Sequence, residues 1–201
     1  MKIRTKQLII IGIISLAILV LLIIYSFVKY QYLKNETIAT KTNEIKYSLD
    51  EIIKAKKEVW ISNALQIANN TLLIDSLKNN DRSAINKLLK NYSELYKKNT
   101  EFQNVQIEII NANLQSFFKT WAPEKFGESL DYSPAIKKVK ETLNALSVIE
   151  PSSKGIRLKG LFPIISNNEF IGIVNFEGGL NSIKILLKNR NIDFLYFLND
   201  Q

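Results

Sequence analysis

The sequence predicts an α+β protein: an N-terminal transmembrane helix, a long helical stalk, and an antiparallel sheet module with short helices. Three observations predict it. Residues 8–28 carry no charged side chain. Residues 36–77 contain neither proline nor glycine and repeat their apolar positions at helical spacing. From Val105 onward the pattern changes to two-residue alternation broken by turn signals. The corresponding domain reading is a stub at 1–7, a membrane helix at 8–28, a long helix and helical hairpin at 29–101, and a sheet module at 102–201.

The apolar run LIIIGIISLAILVLLIIYSFV is preceded by Lys2, Arg4 and Lys6 and followed by Lys29. As a helix it spans about 31 Å, the thickness of a bilayer's hydrocarbon core. A cleaved signal peptide has an apolar region of roughly 7–15 residues ending at a small-residue site. This run is longer, and Tyr25, Phe27, Tyr30 and Tyr32 stand where cleavage would fall. Such aromatics suit the membrane–water interface, so the run reads as an uncleaved anchor. The basic stub without an acidic residue favours a cytoplasmic N-terminus. Residues 30–201 hold no second long apolar run, which puts the remainder outside the membrane as a single-pass, extracytoplasmic domain.

Composition excludes several chemistries. With no cysteine and no histidine, the chain has no disulfide, no thiolate metal site, no Ser-His-Asp triad and no phosphoaccepting histidine. No cofactor or metal site is expected, and no acid–base pair stands out, so the chain reads as a non-enzyme. The net charge of +8 is not a nucleic-acid signature. Four of the 27 basic residues flank the apolar run and all 19 acidic residues follow it, leaving 23 basic against 19 acidic residues beyond it. Those lysines are scattered along helices rather than clustered with aromatics.

In the stalk, Ile45, Leu49, Ile52 and Val59 form a stripe flanked by Ile53 and Trp60, and Ala64, Ile67 and Ala68 continue it. A helix of roughly 60 Å from residue 29 to the Asn69-Asn70 pair cannot bury that stripe alone. It needs the flank of its own domain or a second copy, making a homodimer through the long helix an expectation. A short helix is predicted over 72–78. After the Asn79-Asn80-Asp81 turn, Asp81 is placed to cap another over 82–98, with Ile85, Leu88, Leu89, Tyr92, Leu95 and Tyr96 on one face.

The segment 105–109 alternates as a half-buried strand, and 114–120 reads as its hairpin partner. A loop with Pro123 and Gly127 follows, then a helix near 135–143. Strands are predicted at 145–149, 156–165 and 169–177, the last two joined by Ser166-Asn167-Asn168. A helix at 180–188 and a strand at 194–198 complete the reading.

Three stretches carry a resemblance. SFFKTWAPEKFG at 116–127, and KGIRLKGLFPI at 154–164 followed by FIGIVNF at 170–176, resemble segments of the extracytoplasmic double Cache sensory domains of bacterial chemotaxis receptors and sensor kinases. Order and spacing over roughly residues 35–200 are similar to the membrane-distal module of that family. The resemblance implies a PAS-like fold, a small-molecule ligand such as an amino acid or organic acid, and coupling to the membrane-connected helix. It also implies the N-terminal part of a longer receptor, with the module at 102–201 incomplete at its C-terminus. The family usually has arginine where Lys119, Lys159 and Pro134 stand here. Lysine offers a point charge in place of a planar two-pronged donor, and proline offers none.

On that reading a pocket lies between the sheet and the loop 121–132. Trp121 supplies a wall, Lys119, Arg157 and Lys159 positive charge, and Tyr132 a hydroxyl. Strand spacing puts Arg157 with Lys159 on one face, and Phe117 with Lys119. Glu124 and Glu128 read as solvent-facing, and Gly127 and Gly155 as turn residues. The alternative reading is a non-signalling anchored protein that assembles through its long helix.

Overall fold

The computed structural model describes residues 2–100, 105–152, 155–189 and 192–193. The helix-to-sheet boundary near Phe102, Lys154 and the strand expected at 194–198 lie outside them. The elements are α1 (Lys2–Ala68), α2 (Thr71–Lys78), α3 (Arg82–Asn99), β1 (Gln106–Asn111), β2 (Ser116–Lys119), α4 (Pro134–Thr142), β3 (Leu146–Ser152), β4 (Gly155–Ser166), β5 (Glu169–Gly179) and α5 (Asn181–Lys188). Two compact units divide the chain, Met1–Glu51 and Ile52–Gln201.

The first unit is the greater part of α1. Its apolar side chains from Leu8 through Val28 are all exposed, and by length and composition this helix can cross a membrane.

The second unit is a five-stranded antiparallel sheet of order β2-β1-β5-β4-β3 with helices on both faces. Local chemistry fixes its turns. Asn167 and Asn168 both take positive φ, 53° and 65°, the two-residue turn whose twist suits a hairpin. Asn111 closes the β1–β2 turn by accepting at its side-chain oxygen from the backbone N–H groups of Asn113 and Gln115. Ser133 caps α4, with Pro134 following in the first turn, where its missing N–H leaves no helical bond unmade.

One face of the sheet receives the helices. Trp60, Ala64, Ile67 and Ala68 of α1, Leu73 and Leu77 of α2, and Ile85 and Leu89 of α3 are buried there together with Ile107, Ile109 and Phe176. Phe176 meets Trp60 and Tyr96 edge-on, ring centroids 5.7 and 5.4 Å away. The stalk stripe therefore splits: Trp60 and the residues after it bury in their own domain, while Ile45 and Val59 each remain 40% exposed. Gly160 makes the helix's approach possible, because a Cβ there would lie 2.5 Å from the backbone carbonyl carbon of Trp60.

The opposite face is half apolar. Ile110, Leu161 and Ile173 pack with Leu114, Leu130 and Ala135, Ile136 and Val139 of α4. Beyond this cluster the same face turns polar.

Candidate functional site

Register decides which side chains share that polar region. Glu108 of β1 stands opposite Lys119 of β2 and Asn175 of β5, and Glu177 of β5 stands opposite Lys159 of β4. Paired residues share a face, so these five residues converge. A bulge in the β1–β2 pairing sets Phe118 opposite Ile109 but Ser116 opposite Ile110. Simple alternation would separate Ser116 from Lys119, and the extra residue at Phe117 puts both on the Glu108 face. The expectation that Phe117 shares that face through even spacing meets this interruption; Ser116 takes the place beside Lys119.

A cavity of about 560 Å³ opens here between the sheet, the 121–132 loop and the start of α4. Lys119, Trp121, Tyr132 and Lys159 line it, with Glu108, Glu128, Glu150, Asn175 and Glu177. Pro134 also lines it. Tyr132 is 72% exposed and Trp121 is half-buried. The loop returns along the free edge of β2, where Ser116 N–H donates to the Glu128 carbonyl and Gly127 N–H to the Ser116 carbonyl. Gly127 sits at φ +82°, in the left-handed region that a residue with a side chain adopts only with strain.

Each predicted cation has a carboxylate of the protein against it. Lys119 pairs with Glu128 and lies 3.9 Å from Glu108. Lys159 donates to Glu150 at 2.9 Å. Arg157, buried, lies 3.5 Å from Glu177. Glu108 is 6% exposed and accepts from the Ser116 hydroxyl at 2.7 Å and from Asn175 Nδ2 at 3.3 Å. The Asn175 amide also reaches Glu177 at 3.3 Å. Burial raises the pKa of Glu108 above the usual carboxylate value, and the neighbouring Glu177 charge adds to the rise. The Ser116 hydrogen bond, the Lys119 charge and the Asn175 hydrogen bond oppose it without cancelling it. No group of histidine, cysteine or carboxylate residues able to hold a metal ion occurs among the described residues.

A family sequence model for the double sensory domain of two-component sensor kinases matches residues 42–191. The chain belongs to the double Cache sensory family. No curated protein sequence matches it. Among solved structures, the Cache chain is similar to the sensor domain of the V. cholerae histidine kinase DctB at 16% identity and a TM-score of 0.57, covering 71% of this chain and 57% of that one. It is also similar to the sensory domain of the Campylobacter jejuni chemoreceptor Tlp3. The form with isoleucine bound gives 12% identity and a TM-score of 0.52, over 70% of this chain and 57% of that one. The complex with L-valine gives 12% and 0.51, over 70% and 58%. At these identities the likeness is one of fold. The Cache chain spans somewhat over half the length of each of these sensory domains.

Four of the five residues expected at a site, Lys119, Trp121, Tyr132 and Lys159, line the Cache cavity. Arg157 lies deeper, on the same face, against Glu177. Sequence reasoning missed the acidic half, Glu108, Glu150 and Glu177, and the Asn175 amide between two of its carboxylates. A signal for part of it exists, because Asn175 and Glu177 are polar residues two apart in an otherwise apolar strand. Glu124 and Glu128 are both exposed, as expected, and Glu128 in addition pairs with Lys119.

Proposed function

We propose that this chain is the ligand-sensing region of a bacterial membrane receptor, with a cytoplasmic N-terminus, a single anchoring helix at 8–28 and an extracytoplasmic Cache module. The module binds a small solute in the cavity bounded by Lys119, Trp121, Tyr132 and Lys159, and binding biases the position of α1. The carrying observation is that cavity, a concave site with converging charged and aromatic groups, in a chain of a sensory family. The resemblance to structures of a chemoreceptor sensory domain holding valine or isoleucine supports a metabolite-sized ligand. Signalling requires that the ligand bind one helix arrangement better than another, because equal affinity for both shifts nothing.

Membrane anchoring rests on a helix that is apolar on every side between Leu8 and Val28 and exposes those side chains throughout. The basic residues before the run and none of opposite charge support the cytoplasmic N-terminus. The decisive experiment is thermal denaturation of the detergent-solubilised full chain against amino acids, organic acids and amines. A reproducible, saturable rise in Tm with one chemical class supports a sensor. A panel without any response favours the alternative, an anchored protein that assembles through the exposed part of its helix stripe, Ile45 and Val59.

A further inference from the structure

The two ends of α3 are fastened to different parts of the module. At its start, the Arg82 guanidinium donates to the Phe117 and Pro123 carbonyls and lies over the Phe126 ring. That end grips β2 and the loop that follows it. Near its finish, the Tyr96 hydroxyl donates to Asn63 Oδ1 of α1 at 2.8 Å, and both side chains are partly buried. The Tyr96 ring also meets Phe176, and Phe176 meets Trp60 of α1. The backbone of α3 runs closest to α2 and β2, so Tyr96 reaches α1 as a side-chain bridge.

The body between these ends is stiff. Residues 82–99 contain no glycine and no proline, and Asp81 caps the first turn by accepting from the Ala84 N–H at 3.0 Å. Arg82 and Tyr96 are fourteen residues apart, about 21 Å and close to four turns along the axis, so both project from one side of the helix. Between them, the buried Ile85 and Leu89 seat α3 by apolar contact, which is non-directional. Among the described residues, the side-chain hydrogen bonds from α3 to other elements are those of Arg82 and Tyr96. These two directional fastenings fix where α3 stands along its own axis.

We propose that α3 is a rigid link between the 117–126 segment and the turn of α1 at Asn63, and that the Arg82 grip and the Tyr96–Asn63 bridge hold or release as one unit. The link goes beyond the sensor reading, because it operates with no ligand in the cavity. The conformation of the loop and the seating of α1 in its own module become a single equilibrium, and coupling of that kind acts equally in both directions.

The test is a double-variant cycle on the detergent-solubilised full chain, read by chemical denaturation and by hydrogen exchange. Tyr96→Phe removes the hydroxyl and keeps the ring against Phe176, while Asn63→Ala removes the acceptor. Each is expected to speed exchange at residues 117–127 by about threefold or more, leaving β3 unchanged. Arg82→Ala is expected to speed exchange at residues 60–66 by about the same factor. Positions this far apart are ordinarily independent, so their losses in folding equilibrium constant should multiply. The link predicts that the Arg82→Ala, Tyr96→Phe double variant falls short of that product by about threefold or more. Arg82→Lys keeps the charge but loses the planar fork that spans two carbonyls, and it replaces Arg82→Ala in the cycle if that variant does not fold. Losses that multiply in full, or exchange that speeds only at each variant's own end, overturn the proposal. Neither result touches the sensor reading, since no ligand enters the measurement.

Discussion

The guanidinium of Arg82, at the start of α3, stacks 3.5 Å from the centre of the Phe126 ring in the loop beside the cavity. The same group donates to the Phe117 carbonyl at 3.0 Å and to the Pro123 carbonyl at 2.6 Å. One side chain therefore ties the helical layer to the bulge in β2 and to both ends of the loop's first turn. The loop that carries Trp121 is held from the far side of the sheet's edge strand, so any displacement of the loop works against α3.

Arg82→Ala is expected to destabilise the module by about 1–2 kcal/mol, from one partly exposed cation–π contact and two hydrogen bonds. Chemical denaturation reads the loss. Hydrogen exchange should accelerate at residues 117–127 more than in β4 and β5, and equal acceleration everywhere would argue against a local clamp.

Gly160→Ala and Gly127→Ala separate crowding from backbone strain. At Gly160 the added carbon meets the Trp60 backbone at 2.5 Å, where nothing can rotate aside, and the expected loss is about 1–3 kcal/mol or more. At Gly127 no atom lies within 4 Å, and only the positive φ resists, for about 1–2 kcal/mol. Tryptophan fluorescence in a Trp121→Phe background, which leaves Trp60 as the reporter, distinguishes them, since only the first variant crowds Trp60.

Glu108 makes stability depend on pH in a stated direction. Its pKa is raised in the folded protein, chiefly by burial. The folded state then holds a proton that the unfolded chain has released, so this group's contribution is complete below the ordinary carboxylate range. It is lost as pH rises from that range through the raised value. Denaturation midpoints measured from mildly acidic to neutral pH should fall over that window, and Glu108→Gln should flatten the fall. A variant with an unchanged profile would assign the dependence to another group.

The first unit is testable through what the chain lacks. With no native cysteine, Lys2→Cys and Asn113→Cys each give a single labelling site. In intact cells a membrane-impermeant maleimide should label the second and reach the first only after lysis. The reverse pattern would invert the proposed orientation.

Ile45→Asp and Val59→Asp place charge on the two exposed positions of the α1 stripe. If the helix pairs with a second copy, crosslinking of the full chain in membranes should drop while the thermal midpoint of the module stays within a degree or two. Unchanged crosslinking would place assembly elsewhere.

Much of the module was legible because its elements announce themselves locally. The 105–109 alternation, the Asn167-Asn168 turn, the capping residue Asp81 and the helix at 181–188 each depend on a handful of neighbouring side chains. The cavity's composition was legible only in part, through the resemblance around Lys119, Trp121 and Lys159. Glu108 and Asn175 are 67 positions apart and meet through strand register, which no short-range pattern encodes. The bulge at Phe117 adds one residue to a count that period-two reasoning takes as even.

The contact between Gly160 and Trp60 has a mechanical meaning. Most helices ride on a sheet through side chains, whose rotamers absorb small displacements before the backbone responds. Here main chain bears on main chain at the centre of β4, one residue beyond Lys159. The joint has almost no slack. A displacement of β4 at Gly160 would meet the turn of α1 at Trp60 with no side-chain rotamer between them to absorb it.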